Sequence, residues 1–116
     1  MKNNSEAKLL RIFIGESDKI GNIPLYEAIV FKAKEEDLSG ATVTKGIMGF
    51  GANSKINSDK LFTISNDLPL IVEVIDIENK IRDFIDTVEQ MFEKSNSAGL
   101  ITVEKAEIIR YTAAKK

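Results

Sequence analysis

Leu68-Pro69-Leu70-Ile71-Val72-Glu73-Val74-Ile75-Asp76, followed at once by Ile77-Glu78-Asn79-Lys80-Ile81-Arg82-Asp83-Phe84-Ile85, decides the fold. The first nine residues are rich in β-branched and apolar side chains and predict a strand, with Pro69 restricting its first residues. Leu70, Val72 and Val74 share one face, and Ile71, Glu73 and Ile75 the other. Past Asp76 the period changes. Ile77, Ile81, Phe84, Ile85, Val88, Met91 and Phe92 recur at steps of three and four, which predicts an amphipathic helix. Asp76 is the predicted N-cap, with Glu78 favoured by the helix dipole in the first turn.

Reading outward, Ser95 to Gly99 (SNSAG) predicts a turn with Gly99 as its cap, and Leu100 to Tyr111 the last strand. Upstream, Leu9 to Ile14 (LLRIFI), bounded by Gly15, predicts the first strand. Asn22 is placed to cap a helix with Pro24 near its start and Leu25, Ala28, Ile29 and Ala33 along one side. Gly40 ends that pattern. Ala41 to Ile47 predicts a second strand, and Leu61 to Ser65 a short extended piece before the turn at Asn66-Asp67. The order is strand, helix, strand, strand, helix, strand. It predicts an α+β, ferredoxin-like βαββαβ fold, with a four-stranded antiparallel sheet and two helices on one face. Residues 9–112 form the expected domain, between a frayed polar start at 1–8 and a tail at 113–116.

That arrangement leaves one sheet face without helices. The first strand carries Leu10, Ile12 and Ile14 on one side and Leu9, Arg11 and Phe13 on the other, so both sides hold large apolar groups. Burying each aliphatic side chain contributes roughly 1.5–3 kcal/mol. The second face is therefore expected to be buried between copies in a closed ring.

Composition narrows the chemistry. The 116 residues include no cysteine and no histidine. Disulfides, zinc-thiolate sites and Cys- or His-based catalysis are excluded. Hard-cation binding through carboxylates is not. The 16 basic and 18 acidic residues are interspersed, giving a net charge of −2, which argues against nucleic acid as a partner. No apolar run is long enough to span a bilayer, so no membrane insertion is expected. The polar start Met1 to Lys8 has no signal-like apolar region, and a cytoplasmic location is expected.

The glycine-rich stretch Gly46-x-x-Gly49-x-Gly51 is the first candidate site. Glycines permit positive φ and close backbone approach, and successive N–H groups can form a nest for phosphate oxygens. The spacing is neither G-x-G-x-x-G nor a P-loop. From spacing alone, a plain flexible connection fits as well as an anion site. Lys45, Arg11 and Arg110 could pair with phosphates. Glu16, Asp18, Asp67, Glu73 and Asp76 lie in or beside loops, and nothing in their spacing selects an acid/base or magnesium pair.

Leu10-Arg11-Ile12-Phe13-Ile14-Gly15-Glu16, Pro24-Leu25-Tyr26-Glu27-Ala28-Ile29-Val30, Gly40-Ala41-Thr42-Val43, Gly46-x-x-Gly49-Phe50-Gly51, Asp67-Leu68-Pro69, Val74-x-Asp76 and Gly99-Leu100-x-Thr102-Val103 together resemble the uncharacterised bacterial family of the PII-like (nitrogen regulatory PII) signalling superfamily. The resemblance runs from about Leu9 to Tyr111. It implies a homotrimer of ferredoxin-like subunits, with a nucleotide in the cleft between neighbours and a loop that engages a target. Gly46 to Asn66 would be that loop, and Ser97 to Thr102 a phosphate-cradling turn. The chain departs from typical members in three ways: Ser97-Ala98-Gly99-Leu100 has no lysine, Gly46 to Asn66 has no tyrosine, and Asn57 stands near where this branch commonly has a histidine.

The resemblance implies a non-enzymatic regulatory protein without covalent cofactor, taking ADP, ATP, AMP or a related anionic metabolite. Its expected nucleotide-binding residues are Lys45, Gly46, Gly49, Phe50, Gly51, Ser54, Gly99, Leu100, Ile101 and Arg110. Met48, Phe50, Asn53, Lys55 and Asn57 are expected to face a target transporter or enzyme. The competing readings are a small carboxylate- and metal-dependent enzyme of phosphate chemistry, and a structural trimer without ligand.

Overall fold

A computed structural model describes residues 5–52, 57–58 and 67–114. The elements are β1 (Ser5–Gly15), β2 (Lys19–Ile20), β3 (Ile23–Pro24), α1 (Leu25–Glu35), β4 (Ala41–Lys45), β5 (Met48–Gly49), β6 (Asn57–Ser58), β7 (Pro69–Asp76), α2 (Glu78–Ser95) and β8 (Leu100–Ile108). The main sheet has four strands in the order β4-β7-β1-β8, every neighbouring pair antiparallel. With both helices on one face, this is the ferredoxin-like α+β fold. Ser54, Asn53, Lys55 and the extended piece expected at Leu61 to Ser65 lie outside the described residues.

Alternation sets the layers. Leu10, Ile12 and Ile14 stand opposite Val74, Val72 and Leu70 across the β1–β7 ladder, and all six are buried. They meet Leu25, Ile29 and Ala33 of α1, spaced one helical turn apart, and Ile81, Phe84, Val88 and Met91 of α2. Phe84, Leu10, Ile12, Ile29 and Ile81 have no exposed surface. The apolar period of α2, visible in the sequence, is thus the surface that closes the core.

The local caps differ from expectation. Gly21-Asn22 forms the two-residue turn of the β2–β3 hairpin, with Gly21 at φ +61°, so Asn22 does not cap α1. Pro24, at φ −59°, leads into the helix, and the Asp18 carbonyl accepts the Leu25 N–H at 2.8 Å. Asp76 is 3% exposed and takes the Ser39 N–H on one oxygen (2.9 Å) and the Ile77 N–H on the other (2.7 Å). It therefore ties the start of α2 to the approach to β4 and makes no N-cap bond to the helix. Asn96, at φ 52°, ends α2 in the left-handed conformation expected of Gly99.

Strand boundaries also shift. β1 begins at Ser5, and Ala7, in the segment expected to fray, is 1% exposed opposite Ala106. β4 stops at Lys45 and β8 at Ile108. On the face without helices, Arg11 bridges Glu73 at 2.7 Å and also pairs with Glu104. Leu9, Phe13 and Ile71 are half-buried there, while Ile75 and Leu100 are exposed. The chain beyond β8 reaches the opposite edge of the sheet, where the Tyr111 hydroxyl donates to the Ser39 carbonyl at 2.5 Å. Ile109 to Tyr111 then wall a hollow of about 710 Å³ together with Leu9, Thr42 and Ile75.

Candidate functional site

The glycine-rich stretch and the turn after α2 come together at the other end of the sheet. Gly49, Phe50, Gly51 and Ala52 face Ala98, Gly99 and Leu100 across a cleft of about 580 Å³, with Phe13 among its walls. That volume is in the range of small-molecule sites, roughly 300–1,000 Å³. The convergence follows from topology. β1 is central, Phe13 is paired opposite Leu100, and the exit of β4 lies beside the entry of β7.

The glycines act through proximity. Among the described glycines, positive φ occurs only at Gly21. A Cβ at Gly46 would lie 2.8 Å from Pro69 Cγ, and one at Gly49 3.2 Å from the same atom. One at Gly99 would lie 2.8 Å from the Phe92 ring and 3.0 Å from the Phe13 carbonyl oxygen. Gly51 has open space around it. The nest expected from positive φ is thus replaced by a backbone packed tightly on Pro69, with Phe50 left 71% exposed at the cleft.

The other expected binding residues are distributed unevenly. Lys45 Nζ lies 2.5 Å from the Glu16 carboxylate. That hydrogen bond raises the lysine pKa above its ordinary value, with the Glu16 charge adding to it. Ile101 turns toward the core and is half-buried, whereas Leu100 is exposed on the cleft. Arg110 lies in the separate hollow at the other end of the sheet, its Nε donating to Thr112 Oγ1 at 3.3 Å. Met48 is exposed on β5, and Asn57 falls on β6 opposite Gly49.

Sequence reasoning left Asp18 and Asp67 undistinguished, and both line the cleft. Asp18 accepts the Gly15 N–H at 2.9 Å, and Asp67 accepts the Ser17 N–H at 2.8 Å. The Gly15-Glu16-Ser17-Asp18 run had the look of a turn, but nothing in it identified a partner fifty residues away. Burial pushes the Asp18 carboxyl pKa up and the Asp67 charge adds to it, against the opposing Gly15 hydrogen bond. The folded state therefore holds this proton more tightly than the unfolded chain. Its contribution to stability is greatest at low pH and declines as pH rises through the raised folded value. Asp18→Asn, which keeps an acceptor for Gly15, should remove this loss. Thermal unfolding at pH 4, 5.5 and 7 should show the variant gaining on the wild type as pH rises; parallel curves would contradict the assignment. Among the described residues, no three acidic side chains cluster as a metal site would require, and no helix is long and apolar enough to cross a membrane.

Residues 7–108 match the model of the DUF190 family, described as "Uncharacterized ACR, COG1993". This chain belongs to the DUF190 family. A UPF0166 protein of Aquifex aeolicus is 41% identical over 102 residues, covering 88% of this chain and 92% of that protein. A second UPF0166 protein, from Methanocaldococcus jannaschii, is 34% identical over 105 residues, covering 90% and 94%. The DUF190 chain also has the fold of PII-like proteins. It superposes on CPII, a nitrogen regulatory PII-like protein from Thiomonas intermedia solved with ADP, AMP and bicarbonate, with a TM-score of 0.68 at 16% identity and 91% coverage of each chain. A putative PII-like signaling protein from Thermus thermophilus gives 0.64 at 17% identity and 90% coverage of each. The resemblance read from the motifs is thus the family and fold that the chain has.

Proposed function

We propose that this DUF190 protein is a non-enzymatic regulatory module, a homotrimer that binds an adenine nucleotide at clefts between subunits and signals to a target through the β4–β7 connection. The observation that carries the reading is the single cleft where the two glycine-bearing segments meet beside Phe13 and Phe50. Backbone N–H groups of Gly49 to Ala52 and of Gly99 to Ile101 would hold the phosphates, and the aromatic rings would offer the base a face to stack on. The lining residues include two carboxylates and no lysine or arginine. Lys45 beside the cleft, and Arg110 from a neighbouring chain, would supply the positive charge.

Association rests on the face without helices. Leu9, Phe13, Ile71 and Ile75 of one copy would be covered by the next, and the resemblance to PII-like proteins sets the number at three. A second reading, carboxylate chemistry on a phosphate substrate, rests on Asp18 and Asp67 sharing the cleft.

Isothermal calorimetry against ATP, ADP, AMP, cyclic dinucleotides and bicarbonate, with light scattering, tests the proposal. Stoichiometric binding without turnover supports it, and product formation supports the second reading. Silence across the panel, or the mass of a single 12.9 kDa chain, opposes it. Replacing Gly49 and Gly51 together by valine should abolish binding while leaving the oligomer intact. Valine at 51 projects into open space, and valine at 49 presses on Pro69. Normal binding by the double variant would show that the glycine stretch is not part of the site.

A further inference from the structure

Four contacts converge on the Gly15–Asp18 turn at the end of β1. The Glu16 N–H donates to the Leu68 carbonyl at 2.8 Å, and the Ser17 N–H to Asp67 Oδ1 at 2.8 Å. The Glu16 carboxylate holds Lys45 Nζ at 2.5 Å, and the Asp18 carboxylate closes the turn on the Gly15 N–H at 2.9 Å. Lys45 is the last residue of β4, and Asp67 and Leu68 directly precede β7. One turn therefore grips both ends of the β4–β7 connection. Those ends also grip each other, the Gly46 N–H donating to the Pro69 carbonyl at 2.7 Å.

The same turn is part of the cleft, which Gly15, Asp18, Asp67 and Pro69 all line. The two halves of the grip differ in strength and kind. The β7 half is made of backbone-anchored hydrogen bonds. The β4 half is an ion pair between half-exposed side chains, the sort that contributes little in water and yields readily to a competing charge. Lys45 sits opposite Leu70, next to Pro69, so the cation stands beside a cleft whose own walls are acidic.

We infer that the Gly15–Asp18 turn is a clasp: an anionic group in the cleft draws Lys45 away from Glu16, freeing the β4 end of the connection while Asp67 and Leu68 keep the β7 end in place. Charge on the ligand is thereby converted into a change at one end only. This rests on the nucleotide reading for the identity of the anion; the clasp itself does not.

NMR-detected amide exchange on wild type, Glu16→Gln and Lys45→Met, all without nucleotide, tests the clasp. The Gly46 amide should exchange about three- to tenfold faster in both variants, and the Ser17 amide should stay unchanged. Equal protection at Gly46 in all three proteins overturns the inference, as does equal acceleration at both amides. ADP titrations then test the competition. Glu16→Gln should bind ADP a few-fold more tightly than wild type, and the gain should vanish in the Lys45→Met background. A gain that persists without Lys45 is simple removal of negative charge and overturns the competition. A wild type that binds no ADP overturns the nucleotide reading, while the exchange result still judges the clasp.

Discussion

Replacing Gly99 by valine is expected to destabilise the fold by about 1–3 kcal/mol and to abolish nucleotide binding in the same step. The glycine is there for space. Any Cβ at this position meets the Phe92 ring at 2.8 Å and the Phe13 carbonyl oxygen at 3.0 Å. The ring could turn aside, although it packs against the core. The carbonyl belongs to central strand β1 and cannot give way without disturbing the Phe13–Leu100 pair that begins β8. Valine adds two methyl groups to this conflict, so the turn must lift away from β1, and with it one wall of the cleft. Gly51, with nothing within 4 Å of its virtual Cβ, is the internal control: Gly51→Ala should leave the urea midpoint unchanged. A Gly99→Val protein with wild-type midpoint and wild-type ADP affinity would show that the turn neither packs on β1 nor contributes to the site.

This glycine illustrates what the sequence could and could not reveal. Periodicity carried the large features. The face alternation of β1 and β7 and the apolar stripe of α2 were readable because each repeats over many residues, and together they fixed the sheet and the helical layer. Isolated signals were less informative. Asn22 and Asp76 are both good capping residues, yet one serves a two-residue hairpin turn and the other ties Ser39 to Ile77. Both glycine segments of the cleft were visible, but the reason assigned to them, positive φ, was not the operative one. Close approach to Pro69 and Phe92 depends on residues far away in the chain. For the same reason the clasp was illegible: Glu16 was one of five acids beside loops, and its contacts with Lys45 and Leu68 exist only once β1, β4 and β7 lie side by side.

Replacing Arg11 by methionine should break the oligomer while leaving the subunit folded. The guanidinium lies on the face without helices, directly opposite Glu73 and diagonally across from Glu104, and bonds to both. These two carboxylates raise its pKa further, so it stays charged at any pH the fold survives. In a single chain the three side chains are 34–55% exposed, and water would solvate the two glutamates once the arginine was gone. Between copies the outcome differs, because two like charges would be enclosed without a counter-ion and association should weaken on the order of a hundredfold or more. Light scattering at micromolar protein should show the wild type as an oligomer and Arg11→Met as the 12.9 kDa chain, with far-ultraviolet circular dichroism unchanged. Adding Glu73→Gln and Glu104→Gln to Arg11→Met should restore assembly, since the face is then neutral and retains Leu9, Phe13 and Ile71. Rescue by neutralisation separates a buried charge from a lost contact: if the arginine served only as a packing surface, the triple variant would stay dissociated.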